Sequence, residues 1–166
     1  MPSTLSAIRA RAAGPKLIDP RGPRFGAAAT TVVLAAALLT GSVWLLAAQA
    51  VVFALGAVGR SPYALLYARL VRPRLGPPAE LEDTRPLRFA QAVGLVFTVV
   101  ALAGLALPAV TVVATAAALA AAFLNAAFGI CLGCEIYLLG HRATSRDIVR
   151  TVPNDRTAHP RTEVAA

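Results

Sequence analysis

The sequence predicts an all-α, polytopic membrane protein: four transmembrane helices as two hairpins, both termini cytoplasmic, and a short interfacial helix in the central loop. Three observations predict it. Hydrophobic residues make up 57% of the 166-residue chain and charged residues only 14%, whereas a soluble domain carries roughly 25% charged residues. The apolar residues gather in two blocks, Phe25–Val58 and Phe89–Leu139. Each block exceeds the roughly 20 residues that one helix needs to cross a hydrocarbon core of about 30 Å. All 16 lysines and arginines lie outside those blocks, within Met1–Arg24, Arg60–Arg88 and Arg142–Arg161. Basic segments flanking apolar spans are held on the cytoplasmic side, where they also meet anionic headgroups. The net charge of +8 therefore does not point to nucleic acid, since no separate folded domain presents the arginines.

In chain order, residues 1–24 read as a cytoplasmic tail, with Pro15, Pro20 and Pro23 discouraging a helix before Phe25. This stretch lacks the short apolar core and cleavage site of a secretory signal, so the first span is expected to remain in the mature protein. Spans are expected at about residues 25–40, 43–58, 89–107 and 109–130, with a cytoplasmic loop at 59–88 and a polar, mobile tail at 140–166. The turns at Gly41-Ser42 and around Pro108 carry no charge, as expected of loops that must cross the bilayer. Trp44 follows the first turn, where an indole suits the far interface.

Within the central loop, Ser61-Pro62 is a helix start, a capping hydroxyl followed by proline at the first helical position. Tyr63, Leu66, Tyr67 and Leu70 then share one face and Arg69 and Arg72 lie towards the other, the pattern of a helix lying in the membrane surface. Glu80, Glu82 and Asp83 precede Arg85 and Arg88, which reads as charge compensation beside the positive end of the next helix. Small residues four apart, Ala116/Ala120 and Ala117/Ala121, suit close helix approach in lipid. Gln49 and Asn125 are the clearest polar side chains deep within the spans, and a bond to a neighbouring helix is expected of each.

One constellation carries chemistry. The two cysteines stand together in Gly129-Ile130-Cys131-Leu132-Gly133-Cys134-Glu135. A Cys-x-x-Cys pair can close a small disulfide ring and reopen it by thiolate exchange, and one thiol in such a pair often has a lowered pKa. The positive-inside argument places it in the cytoplasm, where a purely structural disulfide is disfavoured. Glu135 is a candidate for proton exchange with the pair and Asn125 for positioning. Asn125, Gly129 and Gly133 recur every four residues, so the segment also reads as a helix-packing stripe with a Gly-x-x-x-Gly motif. A third reading is metal binding by the cysteines, with His141 and His159 or with the cysteines of a second chain completing four ligands. The whole stretch Ala109–Leu139 would make a straight helix of about 46 Å, longer than the bilayer core, so it tilts, protrudes or breaks near the glycines. At the start of a new helix the dipole favours a thiolate, and at the end of a continuous one it opposes it. No phosphate-binding glycine loop, Ser-His-Asp set or intramembrane carboxylate pair is evident, and no cofactor is implied.

The chain resembles the integral-membrane family described as domain of unknown function 4395, over roughly residues 17–140. The resemblance rests on Asp19-Pro-Arg-Gly-Pro-Arg-Phe25, on Arg72-Pro-Arg-Leu-Gly-Pro-Pro with Glu80-Leu-Glu-Asp83, on Arg88-Phe-Ala-Gln91 and on Asn125-Ala-Ala-Phe-Gly-Ile-Cys-Leu-Gly-Cys134. It implies a four-span protein of the bacterial plasma membrane in which the Cys-x-x-Cys belongs to the family pattern, which favours thiol–disulfide or sulfur-transfer chemistry. It implies no established reaction. The expected partners are the lipid bilayer, a thioredoxin-like or sulfurtransferase protein, and a second copy of the chain; the competing class is a non-catalytic membrane subunit or scaffold.

Overall fold

The computed structural model describes residues 17–76, 78 and 81–151, with side-chain surroundings given as far as Arg142. Glu80 and His159 lie outside the described residues. Among the described residues six α-helices follow one another: α1 Arg21–Thr40, α2 Val43–Ala57, α3 Pro62–Leu70, α4 Thr84–Ala103, α5 Pro108–Phe128 and α6 Leu132–Thr151. Two short strands, β1 Leu17–Ile18 and β2 Glu82–Asp83, pair antiparallel with Leu17 opposite Asp83. Three helices, α1, α4 and α5, are long and apolar enough to cross a membrane. The count rises to four if α2 and the bent segment Pro62–Arg74, which turns by 82° from it, form one span. Alone, α2 has 15 residues, about 22 Å of helix and short of a hydrocarbon core of about 30 Å.

The helix α1 begins at Arg21, four residues before the expected start. Proline is tolerated in a first helical turn, where its missing N–H has no intrahelical partner. Asp19 Oδ1 accepts the Arg21 N–H at 2.9 Å and caps the start. Likewise α4 starts at Thr84 rather than near Phe89, capped by Asp83 Oδ1 on the Arg85 N–H at 2.9 Å. The expected compensation of Asp83 by nearby arginines is thus replaced by backbone capping. Arg88 is engaged elsewhere: its Nε donates to the Ala57 carbonyl at 2.9 Å, capping the end of α2 with a cation. The expected polar tail continues as helix α6 to Thr151, and residues 152–166 lie outside the described residues.

The helices pack as a ring in which α1 lies on α5, α5 on α4, α4 on α2 and α2 on α1. The core is built from Leu34, Leu46 and Phe53 with the small residues Ala37, Ala101, Ala114 and Ala118. Small residues let the backbones approach closely where lipid removes the hydrophobic drive between helices. Gly94 of α4 receives the Phe53 ring, which lies 2.8 Å from where a Cβ would stand, and Gly56 of α2 receives the Gln91 side chain in the same way. The outward faces are apolar, with Val32, Val51, Val96 and Val113 exposed and Trp44 86% exposed, a surface suited to lipid contact.

Gln49 is completely buried. Its Nε2 donates to Thr30 Oγ1 of α1 at 3.3 Å, and its Oε1 accepts from the Tyr63 hydroxyl of α3 at 2.9 Å. The cross-helix bond expected of Gln49 is present and ties three helices together, whereas the Asn125 side chain makes none among the described residues. Tyr63→Phe is expected to lower bundle stability by about 0.6–1.7 kcal/mol, the measured range for such bonds in membrane proteins. Unfolding in mixed micelles with increasing dodecyl sulfate, followed by circular dichroism, would read the change. Tyr67, expected at the membrane surface, is instead buried against Gly22 of α1 and donates its hydroxyl to Asp19 Oδ2 at 3.0 Å.

The two halves repeat. Asp19-Pro-Arg-Gly-Pro-Arg-Phe25 and Asp83-Thr-Arg-Pro-Leu-Arg-Phe89 share the pattern Asp-x-Arg-x-x-Arg-Phe, and each opens a helix whose aspartate caps it. Each half then runs strand, long helix, second long helix, sharp turn and a returning helix: α3 folds back onto α1, and α6 onto α4. Phe25 meets Tyr67 with ring centroids 5.9 Å apart, and Phe89 meets Tyr137 at 5.7 Å. Both turns begin with a left-handed glycine, Gly59 at φ 83° and Gly129 at φ 73°.

Candidate functional site

The site is built on the turn between α5 and α6. Gly129 takes the left-handed conformation that glycine adopts without a Cβ penalty. Its N–H donates to the Asn125 carbonyl at 3.0 Å, and the Ile130 N–H to the Leu124 carbonyl at 3.4 Å, so these two carbonyls near the end of α5 are satisfied. The long helix therefore breaks at the glycines, one of the three outcomes that its length allowed. The expected Asn125–Gly129–Gly133 stripe on one helix does not form. Gly129 is a helix cap, and Gly133 alone packs, against Ala90 of α4.

After the break, Cys131 occupies the cap position of α6. Its carbonyl accepts the Glu135 N–H at 3.0 Å, and its Sγ accepts the Cys134 N–H at 3.4 Å. The repeat explains this geometry. In the first half Ser61 caps α3 in the same place, its Oγ accepting the Ala64 N–H at 3.4 Å. Cys131 thus stands where its counterpart is a capping hydroxyl, and Cys134 where its counterpart is Ala64. The pair is closed as a disulfide with the Cα atoms 5.2 Å apart. A sulfur at a helix start sits in the positive end of the dipole, which favours the thiolate once the bond opens.

Two cavities meet at Cys131. A cavity of about 640 Å³ is lined by Arg24, Asp83, Asn125, Glu135 and both cysteines. A second cavity of about 350 Å³ runs between α1, α4 and α5, with Phe97, Ala121 and Gln91 in its wall. Cys131 and Asn125 line both. Of the residues expected at the site, Cys131, Cys134, Glu135 and Asn125 are therefore brought to one polar cavity. His141 lies further along α6, edge-on to Tyr137 with ring centroids 6.1 Å apart. Among the described residues no group of three or more His, Cys, Asp or Glu side chains is placed to hold a metal ion.

Arg24 and Asp83 were not expected here. The guanidinium of Arg24 lies directly against the Gly129 Cα, where any Cβ would overlap it. It takes the place in the second turn that Arg88 takes in the first, since Arg88 lies beside Gly59 and caps α2. The signal that could have found both is the doubled Asp-x-Arg-x-x-Arg-Phe pattern, which marks Arg24 and Arg88 as equivalents.

The family model described as Domain of unknown function (DUF4395) matches residues 18–142. The chain belongs to this family. The DUF4395 match contains every residue of the site, from Arg24 to Glu135, and both copies of the repeated pattern. Neither the curated proteins nor the solved structures hold a match to the chain.

Proposed function

We propose that this DUF4395 protein is a four-span protein of the bacterial plasma membrane that exchanges thiols and disulfides, or passes sulfur, through Cys131 and Cys134. The observation that carries the reading is the pair itself, closed at the cap of α6 and opening on a polar cavity. The basic segments put this end of the bundle in the cytoplasm, a reducing compartment where a disulfide is characteristically catalytic or sensing.

The chemistry follows from the cap. A partner thiolate attacks the Cys131 sulfur, the S–S bond breaks, and Cys134 leaves as a thiolate that takes up a proton. The partner's second thiolate then attacks the partner's own sulfur in the mixed disulfide, and Cys131 leaves. Cys131 is a good leaving group because the Cys134 N–H and the helix start stabilise its negative charge. Glu135 is suited to relay the protons and Asn125 to position the partner's sulfur, both from the wall of the polar cavity. A thioredoxin-like or sulfurtransferase protein supplies the partner cysteine in this reading.

The contact of Gly133 with Ala90 favours a second reading, a non-catalytic subunit in which the segment serves helix packing. Equilibration in glutathione buffers, followed by alkylation and gel shift, separates the two. The thiol reading expects a reversible two-electron transition in the wild type, and a stable mixed disulfide with glutathione in Cys134→Ser but not in Cys131→Ser. Cysteines that neither alkylate after reduction nor change with the buffer would leave only the packing role.

A further inference from the structure

We infer that the apolar cavity beside Cys131 binds a membrane quinone, which takes the electrons that the cysteine pair receives. The inference rests on the thiol reading above and assigns that reading its electron acceptor. Cys131 is shared between the polar cavity and the apolar one. A partner from the water side and an acceptor from the lipid side therefore meet at one sulfur. The apolar cavity has a volume of about 350 Å³, within the range of small-ligand sites, roughly 300–1,000 Å³.

Its shape and chemistry narrow the occupant. From Asn125 to Ala117 it follows α5 for about 12 Å, between the apolar spans, where a charged or strongly hydrated acceptor would be disfavoured. Phe97 and Phe53 offer aromatic surface to a flat ring. Gln91 and Asn125 bring side-chain amides to the wall, and neither donates to a partner among the described residues. Two amide donors in a cavity whose wall is otherwise apolar except for Thr30 and the Cys131 sulfur suit a molecule with two ring carbonyls and a hydrocarbon tail.

The step balances. The reduced pair loses two S–H bonds and gains the Cys131–Cys134 S–S bond, releasing two electrons and two protons. The quinone takes both at its carbonyl oxygens, forming two O–H bonds, and departs as the hydroquinone. Cys131, the cavity-lining sulfur, is the one that hands over the electron pair, and Cys134 closes the disulfide behind it.

The repeat provides the control. Ser61 and Ala64 occupy the positions equivalent to the cysteines, and neither lines the apolar cavity. The test uses the full chain in nanodiscs, reduced, freed of reductant and kept anaerobic. A short-tailed benzoquinone with every ring position substituted is the probe, and glutathione disulfide is the water-side oxidant. We expect the wild type to reduce one quinone per pair, seen as loss of quinone absorbance together with loss of alkylatable thiols. Ala121→Phe should slow the quinone reaction about tenfold or more relative to the glutathione reaction, by filling the cavity. Ser61→Cys with Ala64→Cys, placed in a Cys131→Ser/Cys134→Ser background, should be oxidised by glutathione disulfide and leave the quinone untouched. Wild-type protein that exchanges with glutathione but does not reduce the quinone would overturn the proposal. So would a transplanted pair that reduces it equally fast, whether or not the Ala121 variant folds. Failure of the glutathione reaction itself would instead remove the thiol reading.

Discussion

Gly133→Leu is expected to destabilise the bundle by about 3 kcal/mol, the upper part of the range for overpacking a closed contact. A Cβ at position 133 would lie 2.7 Å from both Cα and Cβ of Ala90. Carbon atoms in contact prefer about 3.5–4.0 Å, so even alanine forces α6 away from α4 by about 1 Å. The backbone of α4 cannot yield by a rotamer change, because the Ala90 Cα is itself one of the two atoms met. Gly133→Ala should therefore cost about 1–2 kcal/mol, despite alanine's better helix propensity, which by itself would favour the variant by about 1 kcal/mol. Unfolding in dodecyl sulfate mixed micelles would measure both. The double variant Gly133→Ala/Ala90→Gly should recover part of the loss, since it removes one of the two clashing atoms. A neutral or stabilised Gly133→Ala would show that α6 is not seated on α4 at this point.

Gly129→Val should have a comparable effect through a different route. At φ 73° a β-branched residue is a genuine outlier, and a left-handed residue other than glycine costs about 1–2 kcal/mol. The new side chain must also displace the Arg24 guanidinium. The cheaper response is for residue 129 to become right-handed, which joins α5 to α6. Cys131 would then leave its cap position for a helix interior, where the helix dipole no longer favours a thiolate and the Cys134 N–H is committed to a backbone carbonyl. We expect the rate of glutathione exchange to fall with the stability in Gly129→Val. Gly129→Asn should lose less of both, since asparagine visits the left-handed region more readily. Equal exchange rates in wild type and Gly129→Val would show that the break does not set the reactivity of the pair.

These two glycines show how far the sequence could be read. As a pair spaced four apart they read as one packing motif on one helix. The structure divides them between two roles, because the left-handed turn at Gly129 ends the helix before the stripe can form. The buried amide of Gln49 was legible, since a polar group among apolar spans must find a partner. That the partners are Thr30 and Tyr63 was not, because periodicity within one helix carries no information about its neighbours. The helix starts at Arg21 and Thr84 were misplaced by several residues for a related reason. Prolines at 20 and 23 read as helix breakers until the carboxylate of Asp19 is seen capping that first turn, as Asp83 caps the start of α4. The repeated Asp-x-Arg-x-x-Arg-Phe pattern stood in the sequence throughout. Only the matching contacts of Phe25 with Tyr67 and of Phe89 with Tyr137 give it meaning, since the alanine-rich spans between the copies carry no register of their own.

The sequence by itself determined the class of molecule: apolar blocks too long for single spans, basic residues confined to the segments before, between and after them, and a lone Cys-x-x-Cys near the end of the last block. Those are properties of composition and order along the chain, and they hold without reference to any particular packing. Tertiary structure decided where the cysteines stand. A left-handed glycine, an arginine carried in from the first helix and a close approach of α6 to α4 place Cys131 at a helix start, between a polar cavity and an apolar one. Residues distant in sequence build that position together, so no local pattern could have specified it.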